Sequence, residues 1–293
     1  MNSFLHWFPI NVRHYFLGLH FLGFARRILA GVLVVGFSQL MMTSSFAHAA
    51  PLSVLSAAEL MEKSVEAIRL KDSSANATLT LTSRDGAARV RKTSGYTKLR
   101  VNGTDNMRLV RFLAPADIKG TTTLMIENGK GDDDMWIYLP ALSKVRRLSA
   151  SDKSGAFVGT DFSYGDIIGH KPLDWTHKLV KEDEVNGAPC YLIQSLPAND
   201  SVRGNSGYSK RETCVRKDNL VAVRTDIWDT QGQPLKRITV SNLKQVGNAG
   251  HWQPMLWIAE NLQSGHKTTI QFDEFKAEIN VADRLFTPQE LDK

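Results

Sequence analysis

Alternation of apolar and polar residues dominates the chain after residue 76. In "ATLTLTS", residues 77–83, Ala77, Leu79 and Leu81 fall on one side and Thr78, Thr80 and Thr82 on the other. That is the two-residue period of a half-buried strand. The pattern recurs in "GYTKLRV", "NMRLVRFLAP", "TTTLMIE", "HKLVKEDEV", "APCYLIQSL", "YSKRETCVR", "LVAVRTDIWD", "LKRITVSNLKQV", "HWQPMLWIAENL" and "HKTTIQFDEFKAE". Asn102-Gly103, Asn128-Gly129 and Asn186-Gly187 sit between such runs. Asn-Gly there is a strong hairpin signal, because both turn positions need positive φ. The spacing predicts about ten or eleven strands in one antiparallel meander. One stretch differs. Ser56 and Glu59 form a capping box, and Leu60, Met61, Ser64, Val65 and Ile68 then recur at helical spacing. This predicts an amphipathic helix that ends at Asp72-Ser73-Ser74. Near the C-terminus, Thr287 as N-cap and Pro288 in the first helical position predict a short final turn.

A sheet of this many strands must curl, split or close. The expected fold is mainly β: a single antiparallel sheet curled into an incomplete β-barrel, with the N-terminal helix as lid or plug over its concave face. Neither a repeat of fixed period nor a linker rich in Pro, Gly or Ser divides it. The expected concave face carries Leu79, Leu81, Met107, Leu109, Trp136, Tyr138, Leu256, Ile258, Ile270 and Phe272. Leu60, Val65 and Ile68 are expected to form the underside of the lid. A register error of one residue would invert any strand's facing.

The first 49 residues change the picture of compartment. Arg13, Arg26 and Arg27 are their only fixed charges; "ILAGVLVVGFSQLMM" follows, and Ala47-His48-Ala49 has Ala-x-Ala character. The layout predicts a signal peptide over residues 1–49 and a single exported domain over 50–293, soluble in the periplasm. A retained membrane anchor is the alternative; the apolar run is interrupted by Gly36, Ser38 and Gln39 and is shorter than a span requires. Cleavage would remove three of the positive charges behind the net +6, so the charge balance gives nucleic acid little support as a partner. Cys190 and Cys214, the only two cysteines, read as a disulfide in an oxidising compartment, against two buried thiols.

Candidate chemistry is sparse. The sequence has no nucleophile elbow, HExxH, P-loop or dinucleotide glycine fingerprint, so no cofactor and no metal are expected. Asp132-Asp133-Asp134 lacks the alternating oxygen ligands of a calcium loop and reads as solvated. Asp161 and Asp166, flanking Tyr164, could form an acid–base pair, or "TDFSYGD" could be a turn into a short helix capped by Asp161 or Ser163. "DMWIYLPALSKVRRLS" is an aromatic strand, a proline turn and a basic strand. Its Lys144, Arg146 and Arg147 could pack on the aromatics, pair with Asp161 and Asp166 as a polar clasp, or form a basic rim suited to an anionic headgroup or an acidic partner.

These residues carry a resemblance. "MWIYLPALSKVRRLSASDKSGAFVGTDFSYGDI" resembles the signature of the exported outer membrane lipoprotein-sorting protein family, larger relatives of the LolA/LolB lipoprotein carriers. The matching elements are Trp136 to Pro140, Lys144 to Arg147, and Gly159 to Asp166. The resemblance implies an incomplete β-barrel with a helical lid over a hydrophobic cavity. It implies a carrier of lipid or lipoprotein acyl chains, in some members alongside inner-membrane transporters of the RND/MMPL type; the chain is expected to be non-enzymatic and a monomer. Two other readings stay open: an envelope-stress sensor or adaptor that binds a protein, and a hydrolase using Asp161 and Asp166.

Overall fold

The computed structural model describes residues 55–293, which lie within one compact unit, Leu52–Lys293. The expected signal peptide lies outside the described residues. Helix α1 (Ala57–Ala67) starts where the capping box places it. Ser56 accepts from the Glu59 backbone N–H, and the Glu59 carboxylate accepts from the Ser56 N–H at 2.7 Å. The helix stops at Ile68. Asp72-Ser73-Ser74 does not end it but opens the first strand. The Asp72 carboxylate there accepts from the Ile279 N–H at 2.8 Å, which ties this end of the strand to the chain's last segment.

Thirteen strands follow: β1 (Asp72–Thr82), β2 (Ala88–Leu99), β3 (Asn106–Ala114), β4 (Thr122–Ile126), β5 (Asp134–Leu139), β6 (Lys144–Leu148), β7 (Trp175–Val185), β8 (Ala188–Pro197), β9 (Tyr208–Arg216), β10 (Ala222–Asp229), β11 (Pro234–Val246), β12 (His251–Asn261) and β13 (Lys267–Ala277). All belong to one antiparallel sheet in the order β6-β5-β4-β3-β2-β1-β13-β12-β11-β10-β9-β8-β7. The count exceeds the expected ten or eleven. The alternating runs account for eleven strands, and the hairpin in "DMWIYLPALSKVRRLS" supplies the other two, β5 and β6.

The order has a geometric consequence. The two edges, β6 and β7, are consecutive in sequence but not hydrogen-bonded to each other. The chain leaves one edge, crosses as residues 149–174, and enters the other. This connection contains helix α2 (Tyr164–Ile168) and several short 3-10 turns. It touches β2 through Arg91, β3 through Phe112, β13 through Thr268, β12 through Trp257, β11 through Lys236 and β9 through Tyr208. So short a segment can meet strands so far apart in the order only if the sheet wraps around it. The sheet is therefore a curl, open along the β6–β7 seam, with residues 149–174 as a strap inside it.

Register defines the two faces. Leu79 pairs with Ile270, which pairs with Trp257. Ala77 pairs with Thr93, and Thr93 with Phe112. Met125 pairs with Met135, and Met135 with Leu148. Together with Phe157, Phe162, Tyr164, Ile167 and Ile168 of the strap, these side chains form the largest core cluster, on the concave face. Burial of each such apolar side chain is worth about 1.5–3 kcal/mol. Helix α1 lies on the same face at the other end of the sheet, with Leu60 and Met61 against Ile193 and Val215. The opposite face is covered beside β3–β5 by the C-terminal segment, where Val281, Phe286 and Leu291 pack on Leu109 and Leu124. Pro288 opens the last 3-10 turn of that segment, as expected.

Candidate functional site

The strap is the part of the molecule with the most concentrated chemistry. Its sequence folds locally for clear reasons. The Phe157 N–H donates to the Phe162 carbonyl at 2.8 Å, closing a tight turn through Val158 and Gly159. Val158 adopts φ 46, a left-handed conformation that costs a β-branched residue on the order of 1–3 kcal/mol. Arg91 on β2 donates to the Val158 carbonyl and helps hold it. Ser163 then caps α2: its hydroxyl accepts from the Asp166 N–H at 3.0 Å, and the Asp166 carboxylate accepts from the Ser163 N–H at 2.8 Å.

Asp166 is the hub of a buried polar network. Lys236 Nζ lies 2.6 Å from its carboxylate, and Tyr208 OH donates to both oxygens at 2.9 and 3.0 Å. His170 Nε2 is 3.2 Å away. The Lys236 ammonium also donates to the Asp161 carbonyl at 3.0 Å. Side-chain exposure is 3% for Asp166 and 6% for Lys236. Burial alone would raise the Asp166 carboxyl, but the Lys236 ammonium and His170 outweigh it and hold the group far below the usual carboxylate range. Burial would lower Lys236, and Asp166 overturns that, so its ammonium is held above the ordinary lysine value. Burial, aided by the Arg211 charge, lowers His170 to about 4, with Asp166 working in the opposite direction. Burial and the Asp166 charge both raise the Tyr208 phenol.

Two further ties hold the strap. Thr268 Oγ1 donates to the Asp161 carboxylate at 2.6 Å and accepts from the Asp161 N–H at 3.0 Å. At the strap's two ends, Lys153 and Lys171 both reach Asp133, at 2.6 and 2.9 Å, and the Asp133 side chain is 2% exposed. Helix α3 (Asp200–Ser206) backs the strap from outside. The residue after it, Gly207, has φ +75, and a Cβ there would stand 2.9 Å from the Ser154 Cβ. Only glycine meets both conditions.

The expected clasp is rearranged. Asp161 and Asp166 do not pair with Lys144, Arg146 or Arg147. Arg146 pairs with Asp152 at 3.4 Å, while Arg147 pairs with Asp134 and lies over the Trp136 ring at 5.8 Å. Strand β6 is an edge that turns these cations toward solvent, so the two acids find their partners on β9, β11 and β13. Tyr164 packs inside the core, edge-on to Phe157 at 5.4 Å. The acid–base reading of Asp161 and Asp166 fits this geometry poorly. A general acid needs a raised pKa, and Asp166 is pushed the other way.

The expected cavity residues divide between the faces. Leu79, Leu81, Ile270 and Phe272 are on the concave face, against the strap's cluster. Met107, Leu109, Trp136 and Tyr138 are on the opposite face, under the C-terminal segment. Leu256 and Ile258 alternate with Trp257 and so also face away from Ile270. Strands buried on both faces carry no clean alternation, which is why the inward residue of each pair was misassigned. For α1, Leu60 is buried, Val65 is half-buried and Ile68 is exposed. Cys190 and Cys214 are joined, with Cα atoms 5.5 Å apart, and pack with Val221 and Val223. Lys236, Tyr208, Thr268, Lys153 and Lys171 carry no mark in the sequence, and Asp133, expected to be solvated with its acidic neighbours, is instead buried between two lysines. The only signal available was a lone lysine in the strand "LKRITV", and it gives no hint of burial.

Comparison with known proteins agrees with this architecture. A family model described only as "Uncharacterized protein" matches residues 104–293. A solved outer membrane lipoprotein-sorting protein domain from Vibrio parahaemolyticus is 26% identical; the match covers 81% of this chain and 98% of that one, with TM-score 0.75. A DUF1329 family protein from Desulfovibrio piger is 28% identical over 80% of this chain and 97% of that one, with TM-score 0.74. A LolA superfamily protein from Nitrosomonas europaea shares the fold at 21% identity, over 80% and 98% of the two chains, with TM-score 0.61. No curated protein sequence matches.

Proposed function

This chain belongs to the uncharacterized family whose model it matches, and on that footing we propose that it is a periplasmic carrier for lipid or lipoprotein acyl chains. The fold is LolA-like, the stretch from Met135 to Ile167 resembles the signature of outer membrane lipoprotein-sorting proteins, and a solved domain of that description is 26% identical. The observation that carries the proposal is the strap. It covers the apolar part of the concave face, and a small set of polar bonds pins it to the sheet. A segment held this way can lift as a body and expose a trough, with Leu79, Leu81, Ile270 and Phe272 on its floor. Acyl burial there would be worth about 0.8 kcal/mol per methylene. Helix α1 stays on its own part of the sheet and closes the far end. The lid of this carrier is thus mainly the strap rather than α1. Discharge of the cargo would fall to a partner protein, an inner-membrane transporter in the reading the signature supports. Among the described residues no helix is long and apolar enough to cross a membrane.

The test is transfer of a fluorescent phospholipid from donor to acceptor vesicles with the exported protein in the gap. Transfer that rises in proportion to protein concentration supports the carrier. Transfer no faster than spontaneous exchange, from a folded protein, contradicts it and moves the protein-binding adaptor to first place.

A further inference from the structure

The concave face contains polar groups that the strap does not satisfy. Arg108 on β3 pairs with Thr97 on β2 and Met125 on β4. Met125 is in the concave cluster, so Arg108 points inward. Arg211 on β9 pairs with Ile227 and Ser195. It shares the face of Lys236, the partner of Ile227 on β11, and it too points inward. The Nε atoms of Arg108 and Arg211 are buried, and neither guanidinium makes a hydrogen bond or ion pair among the described residues. Arg211 only lies over the Trp175 ring, at 5.1 Å. A third orphan stands beside Arg108. Thr123 Oγ1 is buried without a partner, on a residue 0% exposed. By register Thr123 is the diagonal neighbour of Arg108 on the same face, within reach of a long side chain.

The carboxylates nearest these cations are already engaged. Glu127, whose charge Arg108 feels, accepts from the Asn106 N–H at 2.9 Å and from its side-chain amide. Asp166, whose charge Arg211 feels, is taken up by Lys236, Tyr208 and His170. The two cations approach the same piece of the strap from different strands. A Cβ on Gly169 would stand 3.5 Å from the Glu127 carboxylate, and Arg211 and His170 both lie against the Trp175 ring. Both arginines are half-buried, and with the neighbouring carboxylates bonded elsewhere their guanidinium donors are free for an anion. An ordered water would satisfy the threonine hydroxyl, but it would not neutralise two guanidinium groups.

We propose that the cargo is an anionic amphiphile whose headgroup sits between Arg108 and Arg211, with Thr123 as a further hydrogen-bond partner, and whose acyl chain runs along the apolar concave face. The inference rests on the carrier reading and names its substrate class. Guanidinium groups suit phosphate or carboxylate oxygens, which they bind through paired N–H donors.

The test incubates the exported protein, separately, with dioleoylphosphatidylglycerol vesicles, with phosphatidylcholine vesicles doped with dioleoylglycerol, and with inorganic phosphate alone. Native mass spectrometry then reads the adducts, and a melting curve accompanies each arm. The expected result is uptake of phosphatidylglycerol at least about tenfold above dioleoylglycerol, the scale of one lost charge-assisted contact. Arg108→Gln and Arg211→Gln should each lose that preference while dioleoylglycerol uptake stays unchanged. The melting curve of each variant without ligand checks that it is folded; Arg211→Lys, which keeps the charge, should retain part of the preference. Equal uptake of both lipids by the wild-type protein, or an undiminished preference in both glutamine variants, overturns the inference and leaves the carrier standing. Thermal stabilisation by inorganic phosphate without phospholipid uptake overturns the amphiphile as the source of the anion. Uptake of neither lipid sinks both the inference and the carrier.

Discussion

Asp166 and Lys236 form the most consequential pair in the molecule, because each is tolerable in the interior only through the other. Removing one partner of a buried pair leaves an uncompensated charge, at a cost of about 3–5 kcal/mol. Lys236→Met should destabilise the protein by that order, read from the shift in urea midpoint. Asp161→Asn should cost nearer about 1 kcal/mol, since Thr268 can still bond an amide. If Lys236→Met unfolds at the wild-type midpoint, the network does not hold the strap. His170 adds a pH signature. Its folded pKa, about 4, lies below the ordinary histidine value of 6.5, so the unfolded chain binds the proton first. Stability should therefore fall as pH drops from about 6.5 toward 4 and flatten below, by about 1.4 kcal/mol per pH unit across the window. The Asp166 contribution has the same sign but is lost only at more acidic pH, below the unfolded carboxylate value of about 4. His170→Gln should flatten the slope between pH 6.5 and 4 and leave the more acidic limb in place. A slope unchanged in that variant would mean that another group titrates.

At the scale of elements, the alternating pattern and the Asn-Gly turns make the strands and hairpins legible, the Ser56–Glu59 capping box locates α1, and of the two caps open for α2, Asp161 and Ser163, the structure uses Ser163. The sequence did not reveal which face of each doubly buried strand points inward. Trp136 and Tyr138 were correctly placed on one face, but the C-terminal segment that covers them has too few residues to announce itself. Helix α3 also escaped notice, as a seven-residue polar stretch between strands. The strap stands out in the sequence only through its resemblance to a known family, and the strand residues that bind Asp161 and Asp166 lie 42 to 107 residues away. Such distances are set by the curl of the sheet, which no local pattern encodes. If the strap must lift for cargo to enter, tethering it should block entry. Replacing Asp161 and Thr268 with cysteines would join two short side chains now in direct contact. The oxidised double variant should fold with wild-type Tm or higher and take up no lipid, and mild reduction should restore uptake. Undiminished uptake by the cross-linked protein would show that cargo enters without strap movement.

For the whole molecule, the open seam between β6 and β7 explains how one chain combines a continuous sheet with a connection packed inside it. A closed barrel would have no edge from which the chain could cross its own interior. Here consecutive edge strands place the longest connection inside the curl, where its aromatic residues complete the core and its polar residues fasten it. In the carrier proposed above, the strap would occupy the ligand's place, and binding would exchange strap contacts for cargo contacts. The most direct measurement is native mass spectrometry of the protein purified from the periplasm without detergent, with organic extraction of whatever it carries. Discrete adducts of lipid mass, lost when the strap is tethered by the Asp161–Thr268 cross-link before lipid is added back to stripped protein, are the predicted result. A clean unliganded mass that persists after exposure to phospholipid and lipopeptide would contradict the carrier.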